Sequence, residues 1–304
     1  MSASNPPEAS GVYPPATSGV LPPRDMAIAV LIAFLWGMSF IAIKAGVAEA
    51  PPLFLTALRF TLAAFPAVLF IPRPKVKLVD LAGYGLCIGV GQFGLLFAAI
   101  AFGMPAGLAS LVIQMQALFT MALAHFLLGQ RVRGGQVFGA LVALAGVGVI
   151  GVFRGGSAPL APFFAVLAAA ICWSFGNLFS IRAGRTHMLG FIVWSSLFSP
   201  LPLLALSFLL EDHAAIVAAL LHPSMAVWGG AAFLAYGATM VGFGLWSWLL
   251  SRHPAAQVTP FSLLVPVFGI GAATIVFHEP LSGGVALGIG VVMAGLAIAV
   301  FWRR

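Results

Sequence analysis

The chain holds 304 residues, of which 62% are hydrophobic and 7% charged, with a formal net charge of +7; soluble domains carry roughly 25% charged residues. So much apolar surface excludes a water-soluble globular fold and leaves lipid as the solvent, where backbone groups must be satisfied inside helices or closed barrels. A barrel alternates apolar and polar positions over about ten residues, whereas the apolar runs here are continuous and of helical length, so an all-α polytopic membrane protein is expected.

In chain order, residues 1–25 read as a disordered cytoplasmic tail: six of the first 23 residues are Pro, and no basic segment feeds an apolar stretch as in a signal peptide. Ten apolar runs follow, at 26–46, 52–71, 78–102, 106–128, 134–153, 161–181, 188–210, 224–250, 256–277 and 281–302. The connections are short and marked by Pro, Gly or charge, as at Pro51-Pro52, Pro72-Arg73-Pro74, Gly155-Gly156, His222-Pro223 and Glu279-Pro280. No soluble domain is left over, so function is expected within the membrane.

Orientation follows from the basic residues. With the N-terminus cytoplasmic, the inner side carries Arg24, Arg73, Lys75, Lys77, Arg131, Arg133, Arg182, Arg185, Arg252, Arg303 and Arg304; the outer side carries Lys44 and Arg154. This asymmetry favours ten spans with both termini inside a bacterial cytoplasmic membrane. It also accounts for the net charge without a nucleic-acid partner. Cys87 and Cys172 fall in the third and sixth runs and are expected to be reduced thiols.

The chain repeats itself at low similarity. With an offset of 149 residues, Pro105-Ala106 meets Pro254-Ala255, Phe119 meets Phe268, Gln130 meets Glu279, and Gly135, Gly139 and Gly146 meet Gly284, Gly288 and Gly295. Trp36 similarly matches Trp173, and Lys44-Ala45-Gly46 matches Arg182-Ala183-Gly184 after a one-residue shift. Five helices per copy is an odd number, so residues 26–153 and 154–304 are expected as two oppositely inserted repeats, the plan that gives alternating access.

Leu264-Val265-Pro266-Val267-Phe268, His278-Glu279-Pro280-Leu281 and the following glycines resemble the second-repeat signature of EamA-type transporters in the drug/metabolite transporter superfamily. Trp36-Gly37, Ser39-Phe40, Lys44, Pro52 and Arg59 resemble the opening of the first repeat. The first copy departs from the pattern where Gln116-Ala117 stands for the usual Pro and Gln130 for the usual Glu. Among members of this family the chain most resembles exporters of aromatic amino acids. The resemblance implies a central cavity lined by runs 1, 3, 4, 6, 8 and 9, with runs 5 and 10 behind it.

Polar groups inside spans are costly and mark cavities or helix contacts. The cavity candidates are Trp36, Ser39, Phe40, Tyr84, Gln92, Gln114, Gln116, Trp173, Asn177, Ser180, Tyr236, Thr239 and Ser262. Any one of them could instead bond a neighbouring helix. Amides, hydroxyls and aromatic rings together suit a small solute with an apolar body and a polar head. Pro266, with Gly269 beyond it, is a hinge candidate or a fixed kink. Arg59 lies seven residues into the second run, to serve a substrate carboxylate or a structural pairing. Lys44 and Glu49 are expected in solvent, Glu279 as an N-cap of the helix that follows it, and the glycine stripes as packing faces within one chain or at a dimer contact.

No carboxylate stands at a span centre, which favours facilitated export of neutral amino acids and related metabolites over proton-coupled antiport. A channel or lipid-handling protein is the other class. No catalytic motif, metal site or cofactor is expected: His-Glu-x-x-His and Gly-x-Ser-x-Gly are both missing.

Overall fold

The computed structural model describes residues 21–129, 132–153, 159–184, 186–253 and 255–301. The expected tail up to residue 20, Gln130, Arg131, Arg154, Gly155-Gly156, Arg185, Pro254, Arg303 and Arg304 lie outside the described residues. Nine helices among the described residues are long and apolar enough to cross a membrane: α1 (Pro23–Val47), α2 (Pro52–Leu69), α3 (Leu78–Ala101), α4 (Ala106–Leu128), α6 (Leu160–Ala183), α7 (Met188–Leu210), α9 (Met225–Arg252), α10 (Thr259–Phe277) and α11 (Gly283–Phe301). Between them, α5 (Gly134–Phe153) is apolar but contributes a shorter stretch, Gly134–Ile150. A short helix α8 (His213–Leu221) joins α7 to α9. The first helix starts at Pro23, inside the expected tail, because Pro at the first helical turn has no N–H to leave unsatisfied.

Several spans are not uniform α-helix, and the departures fall at related places. In α2 the α-helical part stops at Ala64, before the cis Phe65-Pro66 bond, and a 3₁₀ turn Ala67–Leu69 follows. The chain of α7 is broken between Ser196 and Pro200. Both α3 and α9 contain nine-residue π-helical segments, Leu86–Gly94 and Phe233–Val241. A 3₁₀ turn interrupts α4 at Ile113–Met115 and opens α10 at Thr259–Leu263. Both α4 and α10 end in a left-handed residue, Gly129 (φ 65°) and His278 (φ 52°). The 149-residue offset superimposes those two caps. Glycine takes this conformation freely; histidine pays a steric cost.

The helix pair α5 and α11 packs through glycine on both sides. A methyl group on Gly139 would meet the backbone of Gly295 and Ala299, and one on Gly146 would meet Gly288 and Val292. The reverse contacts mirror these, with Gly288 against Ile150 and Gly146, and Gly295 against Ala143 and Gly139. The glycine faces therefore meet inside one chain. Close backbone approach of this kind is what small residues provide where lipid removes the hydrophobic drive for helix association.

Candidate functional site

The other large helices enclose a cavity of about 330 Å³. Twelve of the thirteen cavity candidates face it: Trp36, Ser39 and Phe40 from α1, Tyr84 and Gln92 from α3, Gln114 and Gln116 from α4, Trp173, Asn177 and Ser180 from α6, Thr239 from α9 and Ser262 from α10. Tyr236 does not. Its ring is exposed, and its hydroxyl donates to the Phe65 carbonyl at 3.4 Å, outside the cavity. The π-helical winding of α9 explains the divergence: it turns Thr239 inward, where its hydroxyl donates to Leu234 O at 2.8 Å, and leaves Tyr236 on another face.

Two helices join the lining that the expected division left out. From α2 come Arg59 and Phe60; from α7 come Met188, Ile192, Ser195 and Ser196. Phe93, Phe243 and Trp246 add aromatic surface. The sequence signal for α7 was the close spacing of Ser195, Ser196 and Ser199, which also fits simple helix packing. The structure divides them: Ser196 Oγ donates back to Ile192 O (2.8 Å), Ser199 Oγ donates across to Gly85 O (2.9 Å), and Ser195 Oγ is buried with no partner among the described residues.

Within the cavity, hydrogen bonds hold the lining helices in register. Gln114 Nε2 donates to Ser262 O at 3.3 Å, the carbonyl that Pro266 cannot serve because it lacks an N–H. Asn177 Nδ2 donates to Gln116 Oε1 (2.8 Å) and Thr120 Oγ1 (3.0 Å), and Ser174 Oγ to Gln116 O (3.1 Å). Trp36 Nε1 donates to Ala238 O at 2.9 Å, with its ring against Phe243 and Trp246. These groups join α4 to α10, α4 to α6 and α1 to α9. Pro266 is buried, and Gly269 lies against Ser110 of α4, so both sit at a packed crossing.

Arg59 is the exceptional group. It is 4% exposed, lines the cavity and lies over the Phe93 ring at 3.9 Å and the Phe60 ring at 4.6 Å. Its Nη2 donates to Thr239 Oγ1 at 3.0 Å, while Nε has no partner among the described residues. No carboxylate among the described residues forms an ion pair with it, and the lining contains no Asp or Glu. Gln92, 2% exposed, also has an Oε1 without a partner among the described residues. A guanidinium has five donors, and burying its charge without a counter-charge is costly.

The cavity lining reaches Ser180 at the end of α6 and Met188 at the start of α7. It stops short of the opposite end, where two carboxylates tie helices together. Glu211, just after α7, accepts from Leu53 N (2.6 Å) and Phe54 N (3.1 Å) at the start of α2, and from Ser207 Oγ (2.6 Å). Glu279, just after α10, accepts from Ala106 N (2.8 Å) and Gly107 N (3.0 Å) at the start of α4, and pairs with Lys44 Nζ at 2.7 Å. Both expectations for this end therefore change. Lys44 is ion-paired, and Glu279 caps α4 in trans; Ser282 instead serves α11, accepting from Val285 N at 3.3 Å. Backbone donors at a helix start attract a carboxylate from any element that can reach them. A separate cavity of about 560 Å³ lies beside Glu279 and shares no lining residue with the first.

A bundle of apolar helices around a charge-poor internal cavity is the architecture of a multi-pass membrane transporter. The model of the EamA-like transporter family matches twice, over residues 25–152 and 160–301, and the chain belongs to that family. It is 43% identical over 287 residues to a protein of Salmonella typhimurium described as a probable amino-acid metabolite efflux pump, covering 92% of this chain and 96% of that one. An Escherichia coli protein of the same description is 41% identical, covering 92% and 97%. A probable terminal-alkyne amino-acid exporter of Streptantibioticus cattleyicolor is 29% identical, covering 87% and 90%. A solved crystal structure with 23% identity shares the fold, with a TM-score of 0.60 over 92% of this chain and 98% of that one.

Proposed function

We propose that this chain exports neutral amino acids and related metabolites with an apolar or aromatic body, by alternating access through the 330 Å³ cavity. The observation that carries the reading is the composition of that lining: aromatic rings and amides surround one buried guanidinium that has no carboxylate partner among the described residues. Rings suit the body of the solute, amides its polar head, and Arg59 its carboxylate. Uniport is the favoured mode, because the lining has no carboxylate to carry a proton. The two halves, 26–153 and 154–304, are read as inverted repeats that rock about the cavity; the double family match and the mirrored glycine contacts of α5 and α11 support this. With both termini cytoplasmic, as the distribution of basic residues suggests, the cavity lies toward the cytoplasmic end and Glu211 and Glu279 close the outer one.

The test is counterflow of labelled amino acids in proteoliposomes containing the purified protein. Saturable exchange of phenylalanine, competed by tryptophan and tyrosine, is the expected result. Exchange of other metabolites with none of aromatic amino acids would reject the substrate class, and unsaturable flux would favour a channel.

A further inference from the structure

The proposed substrates are zwitterions, yet the cavity treats their two charges unequally. The carboxylate would meet Arg59, which among the described residues has no ion-pair partner and no hydrogen-bond partner for Nε. An ammonium would meet no anion, because the lining includes neither Asp nor Glu. What the lining offers instead are neutral polar atoms, those of Ser39, Gln116, Asn177 and Ser180 among them. Such atoms suit an amide or hydroxyl about as well as an ammonium, and an ionised group stripped of water costs far more than a neutral one when no counter-charge replaces the water. Bound to a zwitterion, the cavity keeps a net positive charge. Bound to a monoanion, it becomes neutral.

Resting on the reading of the cavity as the substrate site, we infer that it selects monoanionic carboxylates with an apolar body over the corresponding zwitterions. The substrate class is thus amino acids whose nitrogen is acylated or replaced by hydroxyl, with the free amino acid the weaker substrate. The charge also supplies a driving force. Outward movement of a monoanion carries negative charge away from a negative interior, which favours export by about fifty-fold per 100 mV without any proton carrier in the lining.

The experiment compares exchange of labelled phenylalanine and labelled N-acetylphenylalanine in the same proteoliposomes, with phenyllactate and phenylalaninamide as competitors. N-acetylphenylalanine is expected to be preferred by about ten-fold, the equivalent of one well-placed charge interaction. Phenyllactate should compete, and phenylalaninamide, which lacks the carboxylate, should not. A potassium diffusion potential should drive net flux of the acetylated compound and leave that of phenylalanine unchanged. In Arg59→Gln the preference should fall to about one, whereas Arg59→Lys should keep it; the ratio cancels any loss of folded protein. Exchange of phenylalanine without N-acetylphenylalanine, competition by the amide, or a preference unchanged in Arg59→Gln would overturn the inference and leave the proposed function standing. Failure of every aromatic compound to exchange would reject both.

Discussion

One end of this bundle and its central cavity use charged residues in opposite ways. At the end holding Glu211 and Glu279, each carboxylate is fully employed: two backbone N–H groups each, plus Ser207 for one and Lys44 for the other. At the cavity, Arg59 is deeply buried with one hydrogen bond to a hydroxyl and two aromatic rings as neighbours. Charges with a complete set of partners hold helices together, and the proposed function gives Arg59 a substrate carboxylate to meet.

The strongest way to break the contrast is to remove a satisfied carboxylate. Glu279→Ala strands Lys44 and the first N–H groups of α4, and should lower stability by about 3 kcal/mol, read as a fall in the thermal unfolding midpoint of the detergent-solubilised protein. Arg59→Gln should do the reverse: stability is kept or raised, and exchange of N-acetylphenylalanine drops by about 100-fold, the usual cost of truncating one member of a buried charge pair. Gly295→Leu acts on neither end. It should force α5 from α11 and cost about 2 kcal/mol by overpacking, a loss that the same thermal assay detects without a change in substrate preference. Smallest is His278→Gly, which relieves a left-handed backbone and should raise stability by about 0.5 kcal/mol.

Much of the fold was legible because membrane helices announce themselves by length, and because glycines at matching spacing in runs 5 and 10 have little use other than close packing. The cavity lining was legible wherever polar residues stood inside apolar runs, as with Gln114, Gln116 and Asn177. Other parts were not. That Glu279 reaches back to α4, 172 and 173 residues away, depends on which helix start lies nearby in space, and its neighbour Pro280 pointed to a local cap instead. Tyr236 lies outside the lining because α9 winds as a π-helix there, which polarity inside an apolar run does not reveal. Phe60, Phe93 and Trp246 were hidden among many aromatics, most of which could as well face lipid. Arg59 was visible as an oddity, but the hydroxyl and the two aromatic rings around it depend on how α2, α3 and α9 meet in space.

The central claim is that substrate binds in the cavity containing Arg59. In a Cys87→Ser/Cys172→Ser background, the rate at which a small thiol reagent labels Ser262→Cys, inside the cavity, can be compared with that for Tyr236→Cys, outside it, with and without saturating N-acetylphenylalanine. The account predicts that substrate slows labelling of Ser262→Cys by about ten-fold or more and leaves Tyr236→Cys unchanged. Equal protection at both positions, or none at Ser262→Cys while the protein still transports, would contradict it.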